Sequence, residues 1–148
     1  MDRQRLLQVL EKYRRHHASR PVLIVEDDAP ARQLLHQMLA RDGWPVVEAA
    51  DGRAALRQLE KNAPGLILLD LMLPEMDGFQ FLEELRRHEE WRQIPVVVVT
   101  ARDLTAEDQR WLSGCVEKVL QKGTYQREEL LGHVRDLLAS AARPAGVG

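Results

Sequence analysis

Four aliphatic residues, Leu66 to Leu69, run without a polar break from Pro64-Gly65 into Asp70, and Pro74 interrupts the loop that follows. A short apolar run bounded by turn residues predicts a strand buried on both faces. Such strands belong to parallel sheets covered by helices. Asp70 then stands where the strand ends, at the edge where open α/β sheets gather ligands and chemistry. An aspartate there is a nucleophile, a metal ligand or a loop residue that caps a helix. The rest of the chain has to decide.

Four more short runs read as strands, at 22–25, 45–49, 94–99 and 116–120, the second and the last of them carrying charged residues. Helical patterns separate them. Asp28, followed by Ala29-Pro30, reads as an N-cap with proline in the first turn, opening a helix that stops at Asp42-Gly43. Asp51-Gly52 opens a second helix, ended before Pro64. A third runs over 78–88, with Phe79, Leu82 and Leu85 inward and Phe81 beside them. Thr105-Ala-Glu-Asp108 resembles a capping box for a short fourth helix closed by Ser113-Gly114. The last spans 127–141. Strands alternating with helices predict a three-layer α/β domain around a five-stranded parallel sheet. The common strand order for five such strands is 2-1-3-4-5.

That domain occupies residues 21–141. Residues 1–20 are basic and include an amphipathic pattern over 2–17. They read as an extra N-terminal helix packed on the domain, as a linker, or as a connector or self-association helix that would make a homodimer. Residues 142–148 read as a disordered tail. At 148 residues with a net charge of −2, the chain offers no electrostatic case for nucleic acid or a membrane surface as direct partner. No apolar run is long enough to span a bilayer. The lone Cys115 and the polar N-terminus point to a cytoplasmic protein. Trp44, Trp91 and Trp111 read as partly buried packing residues, Trp111 close to a surface that a partner could touch.

The expected strand ends carry a matched set: Glu26 and Asp27 after the first strand, Asp70 after the third, Thr100 after the fourth and Lys122 after the fifth. In a parallel sheet all of these face one rim. Three converging carboxylates repel one another unless something neutralises them. An oxygen-only set without His or Cys suits a hard cation, and Mg²⁺ is the typical choice where carboxylates are few. With a cation beside it, Asp70 can act as a nucleophile toward phosphorus and form an acyl phosphate. Lys122 supplies a positive charge and Thr100 a hydroxyl, both suited to phosphate oxygens.

These pieces resemble the receiver domain of two-component response regulators. The resembling stretches are Val22-Leu-Ile-Val-Glu-Asp-Asp28, Leu66-Ile-Leu-Leu-Asp-Leu-Met-Leu-Pro-Glu-Met-Asp-Gly78, Pro95-Val-Val-Val-Val-Thr-Ala101 and Leu120-Gln-Lys122. The resemblance implies a flavodoxin-like fold in which Asp70 takes a phosphoryl group from the phosphohistidine of a histidine kinase or phosphotransfer protein. It implies that Glu26, Asp27, Asp70 and the Met72 backbone carbonyl arrange Mg²⁺, and that Lys122 pairs with the phosphate. It further implies that Thr100 turns toward the phosphate and changes the surface of helix four, strand five and helix five, which a downstream protein reads. Such a module catalyses only its own phosphorylation and dephosphorylation. It works as a stand-alone protein or as part of a hybrid kinase.

Two positions depart from the family pattern. Gly123 follows the lysine where a proline is usual, and glycine does not favour a cis bond as proline does. Val119 stands where the family often has an aromatic switch residue, and valine has no ring to swing in and out. Three other readings compete. A haloacid-dehalogenase-like phosphatase would want a second acid two residues beyond Asp70, where Met72 stands. A flavodoxin would want a hydroxyl- and glycine-rich phosphate loop where Glu26-Asp27-Asp28 would repel phosphate. A receiver used only for docking, with phosphorylation irrelevant, is the third.

Overall fold

A computed structural model describes residues 20–122 and 127–142. The proposed N-terminal helix, Gly123 and residues 143–148 of the tail lie outside the described residues, whereas Ala142 is helical. Five strands alternate with five helices: β1 (Val22–Val25), α1 (Ala29–Arg41), β2 (Val46–Ala49), α2 (Gly52–Lys61), β3 (Leu66–Leu69), α3 (Gly78–Arg87), β4 (Val96–Thr100), α4 (Ala106–Ser113), β5 (Lys118–Gln121) and α5 (Arg127–Ala142). All neighbouring strands are parallel, and the order across the sheet is β2-β1-β3-β4-β5, as the sequence predicts.

Local chemistry starts the first four helices. The side chains of Asp28 and Asp51 accept the Ala31 and Ala54 backbone N–H groups at 3.1 and 2.7 Å. Asp77 and Gln80 satisfy each other's backbone N–H at the start of α3, and Thr105 and Asp108 do the same at α4. Each arrangement occupies donors that a helix end would otherwise leave open. At the end of α1, Gly43 takes φ 91°, and its N–H reaches the Ala40 carbonyl at 3.0 Å. That left-handed position is one glycine adopts without penalty.

Successive strand residues face opposite layers, and the sequence feeds both. Leu23, Val25, Ile67, Leu69, Val96 and Val98 pack with Ala55 and Leu59 of α2, Phe81, Leu82 and Leu85 of α3, and Leu112 of α4. Val22, Ile24, Leu66, Leu68, Val97 and Val99 pack with Leu35, Met38 and Leu39 of α1 and Leu130, Leu131 and Val134 of α5. Each fully buried aliphatic or aromatic side chain contributes about 1.5–3 kcal/mol over its exposed state. That is why all four residues of β1 and β3 can be apolar. Asp42, just past α1, accepts a two-pronged contact from the Arg135 guanidinium and the Trp44 indole N–H at 3.0 Å, tying α5 to the end of α1.

Four details differ from the sequence reading. Phe81, one turn before Leu85, is the fully buried phenylalanine of α3, while Phe79 is only half-buried, beside Trp111 and Arg102. Strand β4 starts at Val96, since the Ile94 N–H closes a turn onto the Trp91 carbonyl at 3.1 Å. Strand β5 starts at Lys118, because the Val116 N–H is taken by Leu112 at 2.8 Å in the turn that ends α4. Trp44 and Trp91 are buried rather than partly buried, at 8% and 7% exposure.

Candidate functional site

The site forms at the carboxyl ends of β1 and β3, the two strands between which the sheet order reverses direction. Their register aligns Val25 with Leu69, so the next residues, Glu26 and Asp70, stand level on neighbouring strands. The ladder continues one step beyond the apolar runs, the Glu26 N–H reaching the Ala49 carbonyl at 3.1 Å and the Asp70 N–H reaching Val25 at 3.0 Å. Both carboxyl side chains are thereby pulled into a buried rim, with Glu26 1% and Asp70 5% exposed. Asp27, one residue further, is exposed. Oxygens of Glu26, Asp27 and Asp70 lie within 4.8 Å of one another.

Lys122 answers the negative charge. Its backbone N–H donates to the Thr100 carbonyl at 2.9 Å, which extends the β4–β5 pairing by one residue and brings the side chain back over the cleft. The ammonium donates to Asp70 Oδ2 at 3.0 Å and, in a closer contact, to Glu26 Oε1. Thr100 is fully buried at the end of β4, and its hydroxyl oxygen accepts the Arg102 N–H at 3.1 Å. Met72 contributes its backbone N–H to Asp70 Oδ1 at 3.0 Å, while its side chain is exposed. Val119 is half-buried against the layer formed by α2, α3 and α4.

The loop after β3 folds tightly under Asp70. The Gly78 N–H donates back to the Leu71 carbonyl at 3.0 Å, and Glu75 takes φ 65°, a left-handed conformation uncommon for a residue with a side chain. A Cβ on Gly78 would lie 2.6 Å from the Leu71 Cα and 3.0 Å from the Asp70 carbonyl oxygen. Glycine is therefore required for α3 to begin this close to the acid.

The environment pushes the two buried acids apart. Burial, and then the Asp70 carboxylate beside it, raise Glu26 to about 7 against the opposing pull of Lys122. Burial would raise Asp70 too, but hydrogen bonds from Glu26, from the Met72 N–H and from Lys122 outweigh it and hold Asp70 below the usual carboxylate value. Burial would lower Lys122, yet its contacts with Glu26 and Asp70 keep it above the ordinary lysine value. Two carboxyls with divergent affinities for a proton take different roles. Near neutral pH, Asp70 is the anion and Glu26 is the group that can carry a proton.

Two clusters beside this site were not visible in the sequence, which sets Arg102 at the flank of the site but does not show its partners. Arg32 of α1 donates to the backbone carbonyls of Glu26 and Asp27 and pairs with Glu48 of β2. Arg102 lies over the Phe79 ring, 5.0 Å from its centre, and that ring lies 5.4 Å from Trp111. Both clusters join residues far apart in sequence, so no spacing could have flagged them.

The model of the response regulator receiver domain family matches residues 22–135. This chain belongs to that family. The receiver is 37% identical over 120 residues to the phosphate regulon transcriptional regulatory protein PhoB of Escherichia coli (strain K12). That alignment covers 81% of this chain and 52% of PhoB, so the chain spans about half the length of the curated relatives it matches. Among solved structures, it superposes on the signal receiver domain of a signal transduction histidine kinase from Syntrophus aciditrophicus with a TM-score of 0.76 at 29% identity, covering 86% of this chain and 96% of that one. A second match is the receiver domain of sensor histidine kinase PA1611 from Pseudomonas aeruginosa PAO1, described with a magnesium ion coordinated in its active site cleft. Its TM-score is 0.72 at 29% identity over 81% of this chain and 98% of that one. Among the described residues, no helix is long and apolar enough to cross a membrane.

Proposed function

We propose that Asp70 is the phosphoacceptor of this receiver and that Glu26, Asp27 and Asp70, with the Met72 backbone carbonyl, hold Mg²⁺. The observation that carries the reading is Lys122 Nζ, 3.0 Å from Asp70 and in contact with Glu26, at the rim where three carboxylates gather oxygens within 4.8 Å. The donor set is oxygen only, partly solvent-facing through Asp27, and rich in charge, which fits a hard divalent cation that keeps some of its waters. Bound there, Mg²⁺ would neutralise charge on the incoming phosphoryl oxygens.

The residues of the chain supply the rest. Asp70, held anionic, attacks phosphorus. The P–N bond of a phosphohistidine breaks as the new P–O bond forms, and the electron pair stays on the imidazole nitrogen. Lys122 transfers its contact from the carboxylate to the phosphoryl oxygens, and Thr100 offers its hydroxyl to another. Phosphoryl transfer is governed by this kind of positioning and charge stabilisation. The donor would be a histidine kinase or phosphotransfer protein, and a protein partner reading the α4–β5–α5 surface would receive the signal. On this reading the chain is no enzyme toward other substrates, catalysing only its own phosphorylation and dephosphorylation.

The test is incubation with acetyl phosphate and Mg²⁺ followed by intact mass. Wild type gains the mass of one phosphoryl group and Asp70→Asn does not. No gain in wild type would leave docking without phosphorylation as the better account.

A further inference from the structure

The carboxylate of Asp27 accepts no hydrogen bond among the described residues, and nothing but the main chain aims it. Glu26 has partners for its carboxylate in Lys122 and the Asp28 N–H (3.3 Å), and Asp70 has Lys122 and the Met72 N–H. The direction of Asp27 therefore depends on the backbone between β1 and α1, where the Glu26 N–H ends the ladder on the Ala49 carbonyl and the Asp28 carbonyl begins α1 by accepting the Arg32 N–H. Between those two bonds, the carbonyls of Glu26 and Asp27 are held by a side chain of α1. Arg32 Nη1 donates to the Glu26 carbonyl at 2.9 Å and to the Asp27 carbonyl at 3.4 Å, while Nε donates to Glu48 Oε1 at 2.8 Å. The other oxygen of Glu48 is held by His36 Nδ1. The Arg32 side chain is only 19% exposed.

We infer that Arg32 is a positioning residue for the metal site: braced by Glu48 and His36, it fixes the Glu26–Asp27 backbone and through it the aim of the Asp27 carboxylate. The inference rests on the Mg²⁺ reading given above. A planar fork with fixed donor directions suits this task, since one group spans two carbonyls and a carboxylate. A lysine offers the same charge from a single point and cannot span all three. Groups that orient metal ligands without touching the metal typically change affinity 10–100-fold when removed.

The sign of the effect separates positioning from simple charge. A cation beside an acidic cleft repels Mg²⁺, so if charge alone mattered, removing Arg32 would tighten Mg²⁺ binding. If positioning matters, removal weakens it. The experiment is a Mg²⁺ titration of the full chain followed by amide NMR shifts, with thermal melts of each variant and phosphorylation rates measured at saturating Mg²⁺. Arg32→Ala should weaken Mg²⁺ by about 10–100-fold, and Arg32→Lys should weaken it within the same range although the charge is kept. Glu48→Gln, which loosens the brace, should weaken it by a smaller factor. Rates at saturating Mg²⁺ should stay close to wild type. Unchanged or tighter binding in a folded Arg32→Ala protein overturns the inference. Should that variant fail to fold, unchanged binding in both Arg32→Lys and Glu48→Gln overturns it. A wild type that binds no Mg²⁺ would remove the metal reading and this inference together, whereas variants that bind like wild type remove the inference alone.

Discussion

Replacing Gly78 with alanine tests the claim that α3 begins hard against the loop that follows Asp70. The glycine is not in the left-handed region, so alanine meets no dihedral penalty there, and the cost is steric. The added Cβ would stand 2.6 Å from the Leu71 Cα, 2.8 Å from Leu71 Cδ2 and 3.0 Å from the Asp70 carbonyl oxygen. Carbon atoms prefer about 3.5–4.0 Å, so the overlap with main chain is roughly 1 Å. Overpacking of this kind costs about 1–3 kcal/mol. Stretching the Gly78–Leu71 hydrogen bond adds about 1 kcal/mol. The smaller entropy of an unfolded alanine returns about 0.4–1 kcal/mol. The net is about 2 kcal/mol of destabilisation, which lowers the melting temperature by roughly 4–8 °C in a chain of this size. Gly52→Ala is the control. Its Cβ would meet Met76, closest at Sδ, 2.9 Å away, and a thioether chain turns aside easily. That variant should melt within about 3 °C of wild type. Circular dichroism melts and urea titrations compare the two, and the phosphoryl mass gain should drop only in Gly78→Ala, whose displaced neighbour is the residue after Asp70. A Gly78→Ala protein as stable as Gly52→Ala would refute the reasoning.

Proton competition at Glu26 gives a second expectation. Its carboxyl is raised from an ordinary 4.5 to about 7, so it is largely neutral below that pH and, on the proposed Mg²⁺ reading, an anion available to the metal above it. Apparent Mg²⁺ affinity should rise up to tenfold per pH unit toward pH 7 and then level off, and a flat profile between pH 5.5 and 7.5 would contradict this. Without metal the same group binds more protons folded than unfolded between pH 4.5 and about 7, so its contribution to stability falls as pH rises through that window. A third expectation concerns readout. The Thr100 hydroxyl accepts the Arg102 N–H, Arg102 lies over Phe79, and Phe79 stacks at a tilt on Trp111. Turning Thr100 toward a phosphate should therefore alter Trp111 fluorescence when Mg²⁺ and acetyl phosphate are added, and unchanged emission in protein whose mass shows the phosphoryl group would rule the route out.

The middle of the sheet was readable because β1, β3 and the start of β4 are unbroken apolar runs with Glu26, Asp70 and Thr100 at their ends. Strands β2 and β5 carry Glu48, Lys118 and Gln121 and were placed by the alternation with helices. Glu26, Asp70 and Thr100 are placed by counting along the chain, and helix starts at Asp28, Asp51 and Thr105 are placed by capping chemistry of the same local kind. What counting misses is anything decided by approach through space. Phe81 is fully buried and Phe79 only half-buried because the neighbours each ring meets come from other elements, Trp111 of α4 among them. The raised proton affinity of Glu26 comes from burial that no neighbour in sequence announces. Arg32 looks like any helical arginine until β2 delivers Glu48, sixteen residues away, to its guanidinium.

The alternation of β1, β3 and β4 between two separate apolar layers limits how the gene for such a chain can change length. In β3, Ile67 and Leu69 belong to one layer and Leu66 and Leu68 to the other. Inserting or deleting a single codon within the strand would swap every side chain beyond it to the opposite layer and carry Asp70 out of the cleft with them. Substitutions within these strands cost a cavity or a clash, which neighbours can absorb in part, but a frame-preserving indel has no partial remedy. Length variation is therefore confined to the loops, and the strands act as fixed rulers that keep the five rim positions level whatever the loops become.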